Sequence, residues 1–185
     1  TFSSSEEEGS EDGLIIASNY IQKHRHNIQV CIMKIILTNL FICFFLTLSA
    51  EAFRVDGLKT PQSFIVDPGL GNYFISNING NPESRDNNGF IMKLDASGKY
   101  LFSIRGGSPQ ITLHAPDGLA LNGNHIYVTD IDSVRWFDKN NGKPLGHIDL
   151  TGIGVKRVRG LTFDDENNLY VSDLLANTIY KIETG

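Results

Sequence analysis

Cysteine is nearly missing from this chain. Only Cys31 and Cys43 occur among 185 residues, and none follows position 43. Beyond that point a disulfide scaffold, a Cys-ligated zinc and thiol catalysis are excluded. An excess of positive charge is missing too. With 16 basic residues against 21 acidic ones the net charge is −5, which gives no electrostatic footprint for tracking phosphates, so no nucleic-acid partner is expected. Nor does any apolar run reach the roughly 20 residues of a bilayer span. The longest, Ile35 to Leu48 (IILTNLFICFFLTL), is interrupted by Thr38, Asn39 and Thr47. No phosphate loop, dinucleotide fingerprint, nucleophile elbow or zinc-protease helix appears. At 41 % hydrophobic and 20 % charged, the chain is too polar for a multi-span membrane protein and too apolar to be disordered throughout.

What is present changes character near residue 52. Ser3 to Gly13 (SSSEEEGSEDG) is an acidic low-complexity run that cannot bury enough apolar surface to offset ordering, so it reads as disordered. Residues 1–32 are read as disordered or as a non-native upstream segment, with Met33 as the expected start. Met33 and Lys34, the short apolar core and Ser49-Ala50-Glu51-Ala52 then form the pattern of a signal peptide over 33–52. Cleavage is expected after Ala52, placing the mature protein outside the cell or in the periplasm, without a stable membrane span. A membrane anchor and a buried helix are the alternatives for this run. His24 and His26 fall in the doubtful stretch and read as incidental.

From Phe53 on, Gly and Asn punctuate short β-branched or aromatic runs, and no sustained helical spacing occurs. These runs repeat. Pro61-QSFIVDPGLGNYFIS-Asn77, Pro116-DGLALNGNHIYVT-Asp130 and Val158-RGLTFDDENNLYVS-Asp173 align as strand, polar turn, and a strand ending in Ser or Thr before Asn or Asp. Phe90-IMKLDASGKYLFSI-Arg105 likewise matches Val134-RWFDKNNGKPLGHI-Asp149. In both, an Asp opens the turn by accepting backbone N–H bonds and a Gly supplies the positive φ of the reversal.

The unit is four antiparallel strands. Asn77, Asp130 and Asp173 fall 53 and 43 residues apart, the longer interval holding an insertion, Asn79 to Gly89. Such units predict an all-β fold: a β-propeller sector of about three blades, over 53–185. Blade one runs from about Gln62 to Arg105 and blade two from Asp117 to Leu150. Blade three starts at Arg159 and stops after a third strand at Ile179 to Ile182. A closed propeller takes about four to eight blades. The sector is therefore expected to be part of a larger ring, and to self-associate as it stands.

Three strings carry a resemblance: Tyr73-FISNINGNP-Glu83, Ala115-PDGLALNGNHIYVTDID-Ser133 and Gly160-LTFDDENNLYVSD-Leu174. Over about residues 58–184 the chain resembles the gluconolactonase, senescence-marker-protein and luciferin-regenerating-enzyme-like propellers, and is similar also to NHL-repeat propellers. That resemblance implies a six-bladed ring holding a divalent cation, calcium or zinc, in its central channel, and hydrolysis of sugar lactones or related esters. A cation ringed by oxygen ligands would polarise a carbonyl and acidify bound water. The equivalent innermost-strand positions here are Gln62, Asp117 and Arg159. Gln62 offers only a neutral oxygen, and Arg159 carries a permanent positive charge. Asp117 alone remains as a metal ligand.

Asn77, Asn79, Asp130 and Asp173 complete the candidate ligand face; Asn77, Asp130 and Asp173 have an alternative reading as residues that bind backbone N–H groups, and Asp117, before Gly118, has one as a turn residue. His114, His125 and His147 show no metal-ligand spacing. Trp136 reads as blade packing, and Asp164 to Asn168 as a solvated hairpin turn. Two functions follow: a metal-dependent lactone hydrolase of which this chain is a piece, or a non-catalytic propeller that binds a small molecule or a protein at its channel face. No catalytic residue is assigned.

Overall fold

A computed structural model describes residues 8–45 and 53–183 of the chain. It divides into two units, residues 1–52 and 53–185. The described part of the first unit is one helix, α1 (Glu8–Phe45). It takes in Glu8 to Gly13 of the acidic run, read from sequence as disordered, and the apolar run as far as Phe45. Ile, Gln and Lys recur through its middle, and the straight-chain Gln and Lys hold a helix at little entropic cost. Among the described residues no helix is long and apolar enough to cross a membrane. The expected cleavage site after Ala52 lies outside the described residues.

The second unit is built of strands. Blade one holds β1 (Pro61–Val66), β2 (Tyr73–Asn77), β3 (Phe90–Leu94) and β4 (Tyr100–Arg105) in that spatial order. Blade two repeats it with β5 (Pro116–Asn122), β6 (His125–Asp130), β7 (Ser133–Asp138) and β8 (Pro144–Asp149). Blade three has β9 (Val158–Phe163), β10 (Leu169–Asp173) and β11 (Thr178–Ile182). Every neighbouring pair is antiparallel. A short 3-10 turn, Thr151–Ile153, is the only helical element among the described residues after 58.

The turns form where the punctuation predicts. The Asp95 carboxylate accepts from the N–H of Ser97 and of Lys99, and Gly98 follows at φ +84°. Asp138 and Gly142 (φ +75°) repeat the device between β7 and β8. In the third blade Asp164 accepts from the N–H groups of Glu166 and Asn168 and from the Tyr170 hydroxyl.

Alternation along the strands places apolar side chains between blades. The first seam joins Phe74, Ile91 and Ile104 of blade one to Leu113, Leu119, Ile126, Val128 and Phe137, all buried. The second joins Val134 and Leu150 to Val158, Leu169 and Val171, with Tyr127 and Phe163 meeting edge to face at 4.7 Å between centroids. Trp136 stacks on Tyr127 and lies across Gly146 on the neighbouring strand, where a larger residue would collide with the indole. It is packing within the blade. Through these seams β1 lies against β5 and β5 against β9, so one strand from each blade lines the innermost edge of the sector.

Candidate channel-face site

Near the start of each innermost strand the ladder slips. Register shifts fall between Pro61 and Phe64 on β1 and between Pro116 and Leu119 on β5, and β9 slips in the same place against β10. A bulge re-aims a side chain out of the alternating pattern. The residues released are Gln62, Asp117 and Arg159, and they meet. Arg159 Nε donates to Asp117 Oδ2 at 2.7 Å, and its Nη2 donates to Gln62 Oε1 at 2.9 Å and to Asp117 Oδ1 at 3.4 Å. One guanidinium therefore holds residues from all three blades. Asp117 is buried, with its side chain 8 % exposed, whereas the Arg159 side chain is 39 % exposed.

Two further charged groups adjoin this cluster. The Arg157 guanidinium lies 4.0 Å from Asp117 Oδ2 and 4.0 Å from Glu83 Oε1, bringing in the insertion after β2. Neither residue stands out in the repeat, because Arg157 precedes its strand and Glu83 has no counterpart in the other blades. The insertion itself is tied down. Arg85 pairs with Asp132 through both guanidinium nitrogens, and Asn87 Oδ1 accepts from Leu113 N at 2.8 Å. His114 Nδ1 accepts from Asn87 N at 3.1 Å. Asn79, at φ +59°, donates from its amide to the Asn88 carbonyl at 3.0 Å.

The other candidates spend their oxygens on the backbone. Asn77 Oδ1 accepts from Lys59 N at 2.8 Å. Asp130, fully buried, accepts from His114 N and Ala115 N and from Arg135 Nε. Asp173 accepts from Lys156 N, Arg157 N, Leu175 N and Ala176 N. Burial alone would push the Asp173 carboxyl up, but these N–H bonds outweigh it and hold the pKa below the ordinary carboxylate value. In all three blades the residue that closes the second strand ties down the segment entering the first. The candidate face thus divides into a partly exposed cluster and a set of buried clamps.

A divalent cation does not fit the cluster as it stands. The Asp117 carboxylate is neutralised by Arg159, the Gln62 oxygen accepts from the same guanidinium, and a second arginine lies 4.0 Å away. A cation would have to displace one positive charge while enduring another.

No family model matches the chain, and no curated protein matches it. Solved structures do. The WD40 β-propeller domain of Doa1 superposes with a TM-score of 0.51 at 16 % identity, covering 68 % of this chain and 37 % of that one. A protein described as a candidate gluconolactonase superposes with a TM-score of 0.50 at 17 % identity, covering 72 % of this chain and 48 % of that one. The fold is a sector of a β-propeller. At these identities the likeness carries the fold alone, and the chain spans less than half the length of either propeller.

Proposed function

We propose that this chain forms part of an exported propeller that binds a small polar ligand or a protein at its channel face, with no metal-dependent hydrolytic step in this sector. One observation carries the reading: Arg159 bonds at once to Asp117 and Gln62, so the positions that would offer oxygens to a cation present a charge-paired, hydrogen-bonding surface instead. The Arg159 side chain, 39 % exposed, and the exposed Gln62 amide supply donors for carboxylate, hydroxyl or carbonyl groups of a ligand. A lactone hydrolase is the competing reading, the activity that the description of one structural neighbour names. It requires Asp117 to be freed from Arg159.

The experiment combines two readouts on the purified chain. Lactone hydrolysis is assayed with and without added calcium or zinc, and amide and side-chain NMR shifts are followed as sugar acids and sugar lactones are added. We expect no metal-stimulated turnover, and saturable shifts at Gln62, Asp117 and Arg159. Calcium- or zinc-dependent hydrolysis that disappears in Asp117→Asn would overturn the proposal. Export is checked separately: N-terminal sequencing of the secreted protein is expected to begin at Phe53, whereas a retained apolar run would favour an anchor.

A further inference from the structure

The link from β4 to β5 runs along the seam between blades one and two, both of which carry all four strands. Residues 110–112 of the link and the outer strands β7 and β8 bound a pocket of about 260 Å³. Its walls are fixed. The Leu113 carbonyl accepts from Gly89 N at 3.0 Å, and Leu113 N donates to Asn87 Oδ1 at 2.8 Å. Ile111 N donates to Ser108 Oγ at 3.0 Å, closing the turn that holds Gln110. Phe137 is buried in the seam, and Arg135, two residues earlier on β7, shares its face by strand alternation. His147 stands opposite Arg135 in the β7–β8 ladder.

The polar side chains of this pocket are donors that the fold does not use. Arg135 is 18 % exposed, and its Nε donates to Asp130 Oδ2 at 2.9 Å. Its two terminal nitrogens have no hydrogen-bond partner among the described residues. Neither have the Thr112 hydroxyl, the Gln110 amide or the His147 ring. No Asp or Glu is among the described residues that line the pocket. The carboxylates nearest in sequence are engaged: Asp130 by His114 N, Ala115 N and Arg135, Asp149 by Thr151, and Asp132 by Arg85. Ile111, Phe137 and Leu145 supply an apolar lining.

We propose that this pocket, apart from the channel face, binds a small monocarboxylate with a compact apolar body. With Nε committed to Asp130, the edge of the guanidinium that remains is the fork of Nη1 and Nη2, which matches the two oxygens of a planar carboxylate. Asp130 is the positioning residue that holds the fork. It also offsets part of the arginine charge, which suits one negative charge and disfavours a phosphate dianion. Thr112 and His147 can each donate one further bond. A cavity of roughly 150 Å³ admits benzene, so this pocket has room for benzoate with its ring against Ile111 and Phe137.

Titration of the full chain with benzoate, followed by amide and side-chain NMR shifts, tests this, with thermal melts verifying that each variant is folded. Saturable shifts are expected at Thr112, Arg135 and His147. Benzamide keeps the shape without the charge and should give none. Arg135→Gln should weaken benzoate binding by about ten- to a hundredfold, the worth of a hydrogen bond to a charged group. Thr112→Val and His147→Ala should each weaken it by about tenfold or less. These two carry the test if Arg135→Gln does not fold, since neither side chain is bonded within the protein. Shifts that never saturate, or that benzamide reproduces, would overturn the proposal. So would saturable binding that Thr112→Val and His147→Ala leave unchanged, or shifts confined to Gln62, Asp117 and Arg159.

Discussion

A methyl group on Gly118 would overlap the carbonyl oxygen of Arg159, because the two innermost strands meet there almost backbone to backbone. Gly118→Ala is therefore expected to destabilise the chain by about 1–3 kcal/mol, the usual cost of forcing atoms into a packed seam. Urea melts would measure it. At the same seam the Thr129 hydroxyl accepts from Gly118 N and donates to the Arg159 carbonyl, as the Ser76 hydroxyl donates to the Asp117 carbonyl one seam earlier. Thr129→Val keeps the shape but leaves the Gly118 N–H and the Arg159 carbonyl without their hydroxyl; a loss of about 1–3 kcal/mol should follow. Asp173 yields a pH test. Its folded pKa is depressed, so its contribution is complete above the unfolded value near about 3.9 and is lost as pH falls through the lower folded value. Asp173→Asn should flatten the acid limb of the stability curve from about pH 4 downward, as read by urea melts at successive pH. The Ser/Thr column was visible in the sequence as the residue before Asn77, Asp130 and Asp173. Its role was not, since the acceptors lie 41 and 30 residues away, across a seam that only the folded sector brings together.

Strands were the most legible elements. Each begins or ends where Gly, Asn, Asp or Pro interrupts a short apolar run, and the observed limits differ from those runs by a residue or two. The bulges at the starts of β1 and β5 were not legible, because a register slip depends on the partner strand. They nevertheless decide where Gln62 and Asp117 point. Buried charge between blades was missed for the same reason. Asp67, 2 % exposed at the end of β1, lies 2.9 Å from the Lys139 ammonium in the β7–β8 turn. Lys93 reaches the Lys139 carbonyl at 2.8 Å while lying against the rings of Phe74 and Phe102. Burial would raise the Asp67 pKa, yet Lys139 holds it below the ordinary value. Lys139→Met should leave a buried carboxylate unpaired and cost about 3–5 kcal/mol in a urea melt. Asp67→Asn combined with Lys139→Met should recover part of that loss, since the unpaired carboxylate is gone while the buried Lys93 ammonium loses its neighbouring negative charge.

At the scale of the whole molecule, three blades share two seams and present one polar cluster at their innermost edge, made by one residue from each. Fold class and repeat count were readable because each blade restates the same pattern. Function was less so: spacing named Gln62, Asp117 and Arg159 as equivalent, but only the fold shows that the arginine pairs with the other two. Whether that pairing holds in solution decides between a binding face and a cation site. Titration calorimetry with calcium and with zinc, on the wild type and on Asp117→Asn, tests it most directly. Arg159 holding Asp117 predicts no saturable heat at the channel face, and the same trace for both proteins. A stoichiometric binding heat in the wild type that vanishes in Asp117→Asn would contradict it.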